Sequence, residues 1–223
     1  MIFSPNLDIL APPQLLLWPE LDATPEMFTL YGGTALALHL GHRASVDFDF
    51  FSNQPFDPDE LAASIPYLKG AERVRVAPNT LTCRAERDGP VLVSFFGDLG
   101  LGQAAPRDQV HGRTFYVASL LDIAGTKVAV VQKRVEAKDY LDIDALLRHG
   151  IDLPTALAAG LVVYGRSFNP MITLKALAYF DDVPTLSPGV RKRLIAAVDS
   201  VDPSSLPVLK PYARRTDENG HTP

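Results

Sequence analysis

Two periodicities divide the chain. From its start to about residue 118, apolar residues come in short runs or alternate with polar ones, the period of strands; beyond residue 119 they recur every three to four positions, the period of helices. A proline-rich opening contains one apolar segment, 15–21, which predicts a helix with Trp18 as a packing anchor. Residues 28–31 read as a short strand, 35–40 as an apolar helix opened by Thr34, and the DFDFF stretch at 47–51 as a second strand. Residues 57–68 start with a capping aspartate and Pro58 and keep an apolar face, which predicts another helix. Further strands are expected at 73–77, 80–87, 91–96 and 114–117, the first three joined by the turn-forming sequences PNT and RDGP. These add up to a mixed sheet of about five or six strands.

The second part reads as successive helices at 119–132, 133–148, 154–164, 170–180 and 188–198, the last three each carrying a proline near the first turn. The helix at 133–148 is expected to continue the one before it and to end at Gly150. The fold class is therefore α/β (α+β): a mixed sheet with flanking helices over 1–118, a helical domain over 119–202, and a loosely ordered tail over 203–223.

Candidate chemistry gathers between residues 28 and 51. On a strand, Asp47 and Asp49 share one face while Phe48 and Phe50 share the other, which places two carboxylates roughly 7 Å apart, a spacing able to hold a divalent cation. The same alternation also occurs on solvent-facing strand edges. Upstream, Gly32 and Gly33 free their backbone N–H groups, and Thr34 is placed to cap a helix whose positive end would face an anion. A phosphate site one helix away from a metal site is what phosphoryl or nucleotidyl transfer needs. Arg43 lies where it could reach a phosphate or orient an aspartate, and His42 is read as a helix-end residue. Lys127, within an apolar helix, needs a partner or an anion; Arg134 and Lys138 fall on a similar side if the helix continues, with Asp139 and Asp142 close behind. The plainer reading there is a lysine that reaches solvent and a Lys138–Asp142 pair one turn apart.

The stretches GGTAL and HRxSxDFDFF, followed by KxxxxxxRxxxKDxxD from Lys127 to Asp142, resemble the two signatures of the abortive-infection nucleotidyltransferase toxins of the AbiEii/AbiGii type, within the DNA polymerase β-like superfamily. The resemblance implies a nucleotidyltransferase core. It implies that Gly32 and Gly33 hold a nucleoside triphosphate, that Asp47 and Asp49 bind Mg2+ or Mn2+, that Lys127 contacts the nucleotide phosphates, and that Asp139 and Asp142 belong to the active cleft. Ser45 resembles the serine that precedes the aspartates in the superfamily. It further implies an RNA acceptor, the 3′ end of transfer RNA, or else a protein acceptor, and an antitoxin partner. One position departs from the pattern: the third carboxylate of the superfamily is expected on the strand at 91–96, where this chain has Ser94, and Asp98 just beyond is the substitute to consider.

Composition narrows the alternatives. The single cysteine, Cys83, allows no internal disulfide, and the start MIFSPNLDIL lacks the features of a signal peptide, so a cytoplasmic protein with no membrane partner is expected. The net charge of −5 argues against a general nucleic-acid coat. Its distribution is uneven: residues 1–126 hold 8 Lys or Arg against 15 Asp or Glu, and residues 127–223 hold 13 against 11. Two other classes stay open, a nucleotide-binding module that has lost catalysis and an interaction protein that docks through its helical half.

Overall fold

The computed structural model describes residues 1–213, which fall into two compact units. The first comprises Met1–Gly100 and Pro106–Ser119; the second comprises Leu101–Ala105 and the chain from Leu120.

The first unit is built on a mixed sheet. Its strands, in chain order, are β1 (Ile2–Phe3), β2 (Thr29–Tyr31), β3 (Asp47–Phe51), β4 (Glu72–Ala77), β5 (Thr80–Glu86), β6 (Pro90–Phe96), β7 (Asp108–Val110) and β8 (Tyr116–Val117). Among the described residues they form one eight-stranded sheet in the order β1-β7-β8-β2-β3-β6-β5-β4. All six sequence-expected strands are present, whereas β1 and β7 were not expected; at two and three residues they are too short to show a period. β3 sits centrally, antiparallel to β2 and parallel to β6.

Alternation along β3 makes the core. Phe48 and Phe50 are fully buried, with Phe50 stacked on Phe95 at 5.4 Å and Phe28 edge-on to Phe95 at 5.0 Å. Trp18 packs edge-on to Phe115 at 5.1 Å and is a core residue, as expected. The helix expected at 15–21 is divided between α1 (Pro12–Leu17) and a 3-10 turn over Trp18–Ala23, because Pro19 lacks the N–H a continuing α-helix would use. The helix expected at 57–68 stops earlier, as α3 (Pro58–Ser64), since Pro66 begins a separate 3-10 turn. Asp57 caps α3 as its sequence position suggests, accepting from the N–H groups of Asp59 and Glu60.

In the second unit the helices are α4 (Leu120–Val130), α5 (Ala137–Arg148), α6 (Leu153–Tyr164), α7 (Pro170–Ala178) and α8 (Pro188–Asp199). α4 and α6 meet at glycine: a Cβ on Gly125 would fall 2.8 Å from the Ala159 carbonyl carbon, so only glycine lets the two backbones approach. The segment Leu101–Ala105 is held by the same unit, with Ala104 N–H donating to Asp122 Oδ1 (2.6 Å), Gly102 N–H to the Val163 carbonyl (3.0 Å) and Gln103 N–H to the Ala213 carbonyl (2.8 Å). Of the tail expected to be loosely ordered, residues 203–213 form no helix or strand apart from that Ala213 bridge, and 214–223 lie outside the described residues. Among the described residues no single helix is long and apolar enough to cross a membrane.

Candidate active site

β2 runs directly into α2 (Gly32–Leu40), and β3 returns beside β2, so the sequence GGT is folded back over the aspartates of β3. Tyr31 pairs with Asp49 in this register. Gly32 has φ +75°, a conformation open to glycine, and a Cβ there would lie 2.8 Å from Asp49 Oδ2. The missing side chain is what allows the Asp49 carboxylate to sit at the helix start. Gly33 does the same for Arg43: its Cβ would lie 2.5 Å from Arg43 Nη2 and 3.4 Å from Ser45 Oγ. Two glycines, a carboxylate, a guanidinium and a hydroxyl thus converge on the first turn of α2, where the unpaired N–H groups and the helix dipole favour an anion.

Thr34 has a different part from the capping role its sequence position suggests. The helix already begins at Gly32, with Tyr31 at the N-cap and no side-chain cap. Thr34 is buried one turn in, and its hydroxyl contacts Ser45 Oγ (2.7 Å) and the Asp47 carbonyl. It ties the helix to the start of β3 and so sets the height of the aspartates against the glycine turn. His42 lies just past Gly41, the left-handed C-cap of α2.

Asp47 and Asp49 are half-buried on the sheet face opposite Phe48 and Phe50. On the neighbouring strand Ser94 is paired directly with Asp49, which is where a third carboxylate was expected, and its Oγ lies 3.2 Å from the Thr82 hydroxyl. Asp98 lies past the end of β6 at Phe96, in a left-handed turn conformation (φ 54°), with its backbone N–H held by the Gln54 carbonyl at 3.1 Å. Thr82, paired with Ser94 across β5 and β6, was missed from the sequence; period-two alternation marks its face only once the pairing is known.

The second motif forms one cluster in the second unit. Lys127, almost fully buried, makes ion pairs with Asp139 (3.1 Å) and Asp142 (2.6 Å), both of which have no exposed surface. Arg134 grips Asp139 with two N–H groups, Nε at 2.8 Å and Nη2 at 3.2 Å. The expected continuous helix is not formed: α4 ends at Val130 and α5 begins at Ala137. A continuous helix would set residues 127 and 139 roughly 18 Å apart, and the chain turns back between them so that they touch. Lys138 stands apart, paired with Glu136 at 2.9 Å rather than with Asp142.

Residues 18–203 match the family described as "Nucleotidyl transferase AbiEii toxin, Type IV TA system". The chain belongs to this family. An uncharacterized protein of Aquifex aeolicus (strain VF5) is 32% identical to it over 158 residues, which is 70% of this chain and 74% of that one. The fold is similar to that of MenT4, a nucleotidyltransferase toxin from Mycobacterium tuberculosis H37Rv, with a TM-score of 0.56, 18% identity, and 85% and 82% of the two chains covered. It is also similar to a candidate nucleotidyltransferase from H. pylori, with a TM-score of 0.51, 17% identity, and 83% and 90% covered. At these identities the structural likeness concerns the fold, and the family match is what supports nucleotidyl transfer as the chemistry of this AbiEii-type protein.

A nucleotidyltransferase of this family would take a nucleoside triphosphate and, as a rule, a divalent metal. Among the described residues no group of three or more His, Cys, Asp or Glu is arranged to hold a metal ion. Asp47 and Asp49 nevertheless fit Mg2+, which binds through one or two carboxylates together with substrate phosphates and keeps several waters.

Proposed function

We propose that this protein transfers a nucleoside monophosphate from a nucleoside triphosphate to the 3′ end of an RNA acceptor, with transfer RNA as the substrate class, in the manner of a toxin checked by an antitoxin in the cytoplasm. The observation that carries the reading is the closeness of Gly32 to Asp49, 2.8 Å from the position of a Cβ to the carboxylate oxygen, which unites an anion-binding helix start with a cation-binding strand.

In this reading the N–H groups of Gly32 and Gly33 receive the triphosphate, and Arg43, lying over Gly33, adds a positive charge at the same turn. Thr34 and Ser45 hold the helix and strand in register. Asp47 and Asp49 would hold Mg2+ or Mn2+, which neutralises phosphate charge when bound. The work asked of the protein is alignment and electrostatic stabilisation, because the attacking hydroxyl displaces pyrophosphate without covalent help from a side chain. In the second unit, Asp139 and Asp142 hold Lys127, while Lys138 and the Arg134 guanidinium, each about half exposed, are the cations able to meet a phosphate.

The test is label transfer. The purified protein, magnesium and each α-labelled nucleoside triphosphate are incubated with total transfer RNA or with a protein extract, beside Asp49→Ala. Label on RNA that falls at least ~100-fold in the variant supports the reading; label on protein moves the acceptor to another class. A second reading is favoured by Ser94 alone, a hydroxyl where the superfamily pattern expects a carboxylate. It is a module that binds the triphosphate and leaves it intact, and magnesium-dependent binding without any transfer would establish it.

A further inference from the structure

The face of the sheet that carries the aspartates does not end at β6. Strand register continues it as a row: Asp49 is paired with Ser94, Ser94 with Thr82, and Thr82 with Arg75 on the edge strand β4. A second row runs beside it through Asp47, Leu92, Arg84 and Glu72. The opposite face of the same strands is filled by Phe50, Phe95 and Leu81, all with no exposed surface.

Arg75 is on the aspartate face because of an irregularity. In an unbroken strand Arg73 and Arg75, two residues apart, would point the same way. The register of β4 on β5 shifts between them, so that Arg73 is opposite Cys83 and Arg75 opposite Thr82, two residues on opposite faces of β5. Val74 is the extra residue of a β-bulge, a device that re-aims side chains and is common beside active sites. The two arginines then have different fates. Arg73 is committed to an ion pair with Asp59, and Arg84 to one with Glu72 at 2.6 Å. Arg75 is exposed and makes no ion pair or side-chain hydrogen bond among the described residues.

We infer that Arg75 is a phosphate anchor for the single-stranded RNA acceptor, and that the row Ser94–Thr82–Arg75 is the track along which that strand leaves the aspartates. The inference rests on the transfer reaction proposed above and adds the surface that takes the acceptor. Three strand spacings separate Asp49 from Arg75, roughly 14 Å, the length of about four stacked nucleotides. A terminal hydroxyl at Asp49 therefore leaves a phosphate a few nucleotides upstream within reach of the guanidinium. A strand end needs such a hold, since Ser94 is buried with its hydroxyl bonded to that of Thr82 and neither residue brings a charge, while the nearby Asp47 and Asp49 repel a bare phosphate chain. The same distance takes Arg75 out of range of the triphosphate held at Gly32 and Gly33.

The experiment measures binding of a short fluorescein-labelled single-stranded RNA to the full chain by anisotropy over a series of salt concentrations. Arg75→Ala, Arg75→Lys and Arg73→Ala are compared with the unsubstituted protein, and triphosphate binding is measured alongside. The expected result is about a tenfold weaker RNA affinity for Arg75→Ala at low salt and a salt slope smaller by about 0.7. Arg75→Lys keeps the slope, Arg73→Ala changes neither quantity, and triphosphate affinity is the same throughout. RNA affinity and slope unchanged in Arg75→Ala would overturn the inference, as would an equal loss of triphosphate affinity, which would make Arg75 a nucleotide contact. Failure of the transfer reaction is read separately: Arg75-dependent RNA binding with no label transfer removes the chemistry, and label transfer indifferent to Arg75 removes the track.

Discussion

Gly32 satisfies two demands at one atom. Its φ of +75° would cost an alanine about 1–2 kcal/mol, and the added methyl would displace the Asp49 carboxylate. Gly32→Ala is expected to lower the melting temperature by several degrees and to cut label transfer by about 100-fold or more; a variant that melts lower yet transfers normally would dissociate the glycine from the chemistry. Lys127 makes the opposite case, a charge kept for the sake of two others. Without its ammonium, the buried Asp142 loses its ion pair with Lys127, so Lys127→Ala should destabilise the protein by about 3–5 kcal/mol in urea unfolding, with the largest loss of signal from the helical unit. Cys83 is chemically quiet: burial pushes its thiol above the usual range and outweighs the opposing effect of Arg73. In the native protein at pH 8 it should resist thiol reagents and react stoichiometrically once urea unfolds the chain; rapid native labelling would contradict the buried placement.

At the scale of elements, the strands and helix that carry the candidate site were legible and the remainder was hidden for identifiable reasons. A glycine pair, an apolar helix and alternating aspartates are local signals, and β2, α2 and β3 follow them closely. The part played by Thr34 was not legible, because a hydroxyl near a helix start reads as a cap until the chain is known to bring Ser45 and the Asp47 carbonyl against it. The break between α4 and α5 was hidden in the same way. No proline or glycine marks residues 131–136, and the buried contact between Lys127 and Asp139 decides the turn. The short strands β1 and β7 are made by pairing alone, β1 against β7 and β7 against both β1 and β8. Helix contact gives a further expectation. Gly125→Val places a branched side chain against the Ala159 backbone, which cannot rotate away, and should cost about 3 kcal/mol, seen as a lower urea midpoint with an unchanged slope.

For the whole molecule, the change of period near residue 118 marked the passage from sheet to helices but concealed one exchange. Leu101–Ala105 lies among residues of the first unit in sequence and is bonded within the second, so the chain passes from one unit to the other three times. No single cut divides it cleanly. A fragment of residues 1–118 would strip Gly102, Gln103 and Ala104 of their hydrogen-bond partners, and limited proteolysis should cleave that fragment near residues 101–105 while sparing the full chain. The same exchange has a meaning in time. As the polypeptide leaves the ribosome, Gln103 emerges long before Ala213, which receives its N–H; at about 5–20 residues per second the interval is roughly 5–20 s. The helical unit is sealed by its last described residues, and a chain released early by premature termination would carry the glycine turn and both aspartates in a molecule that never closes.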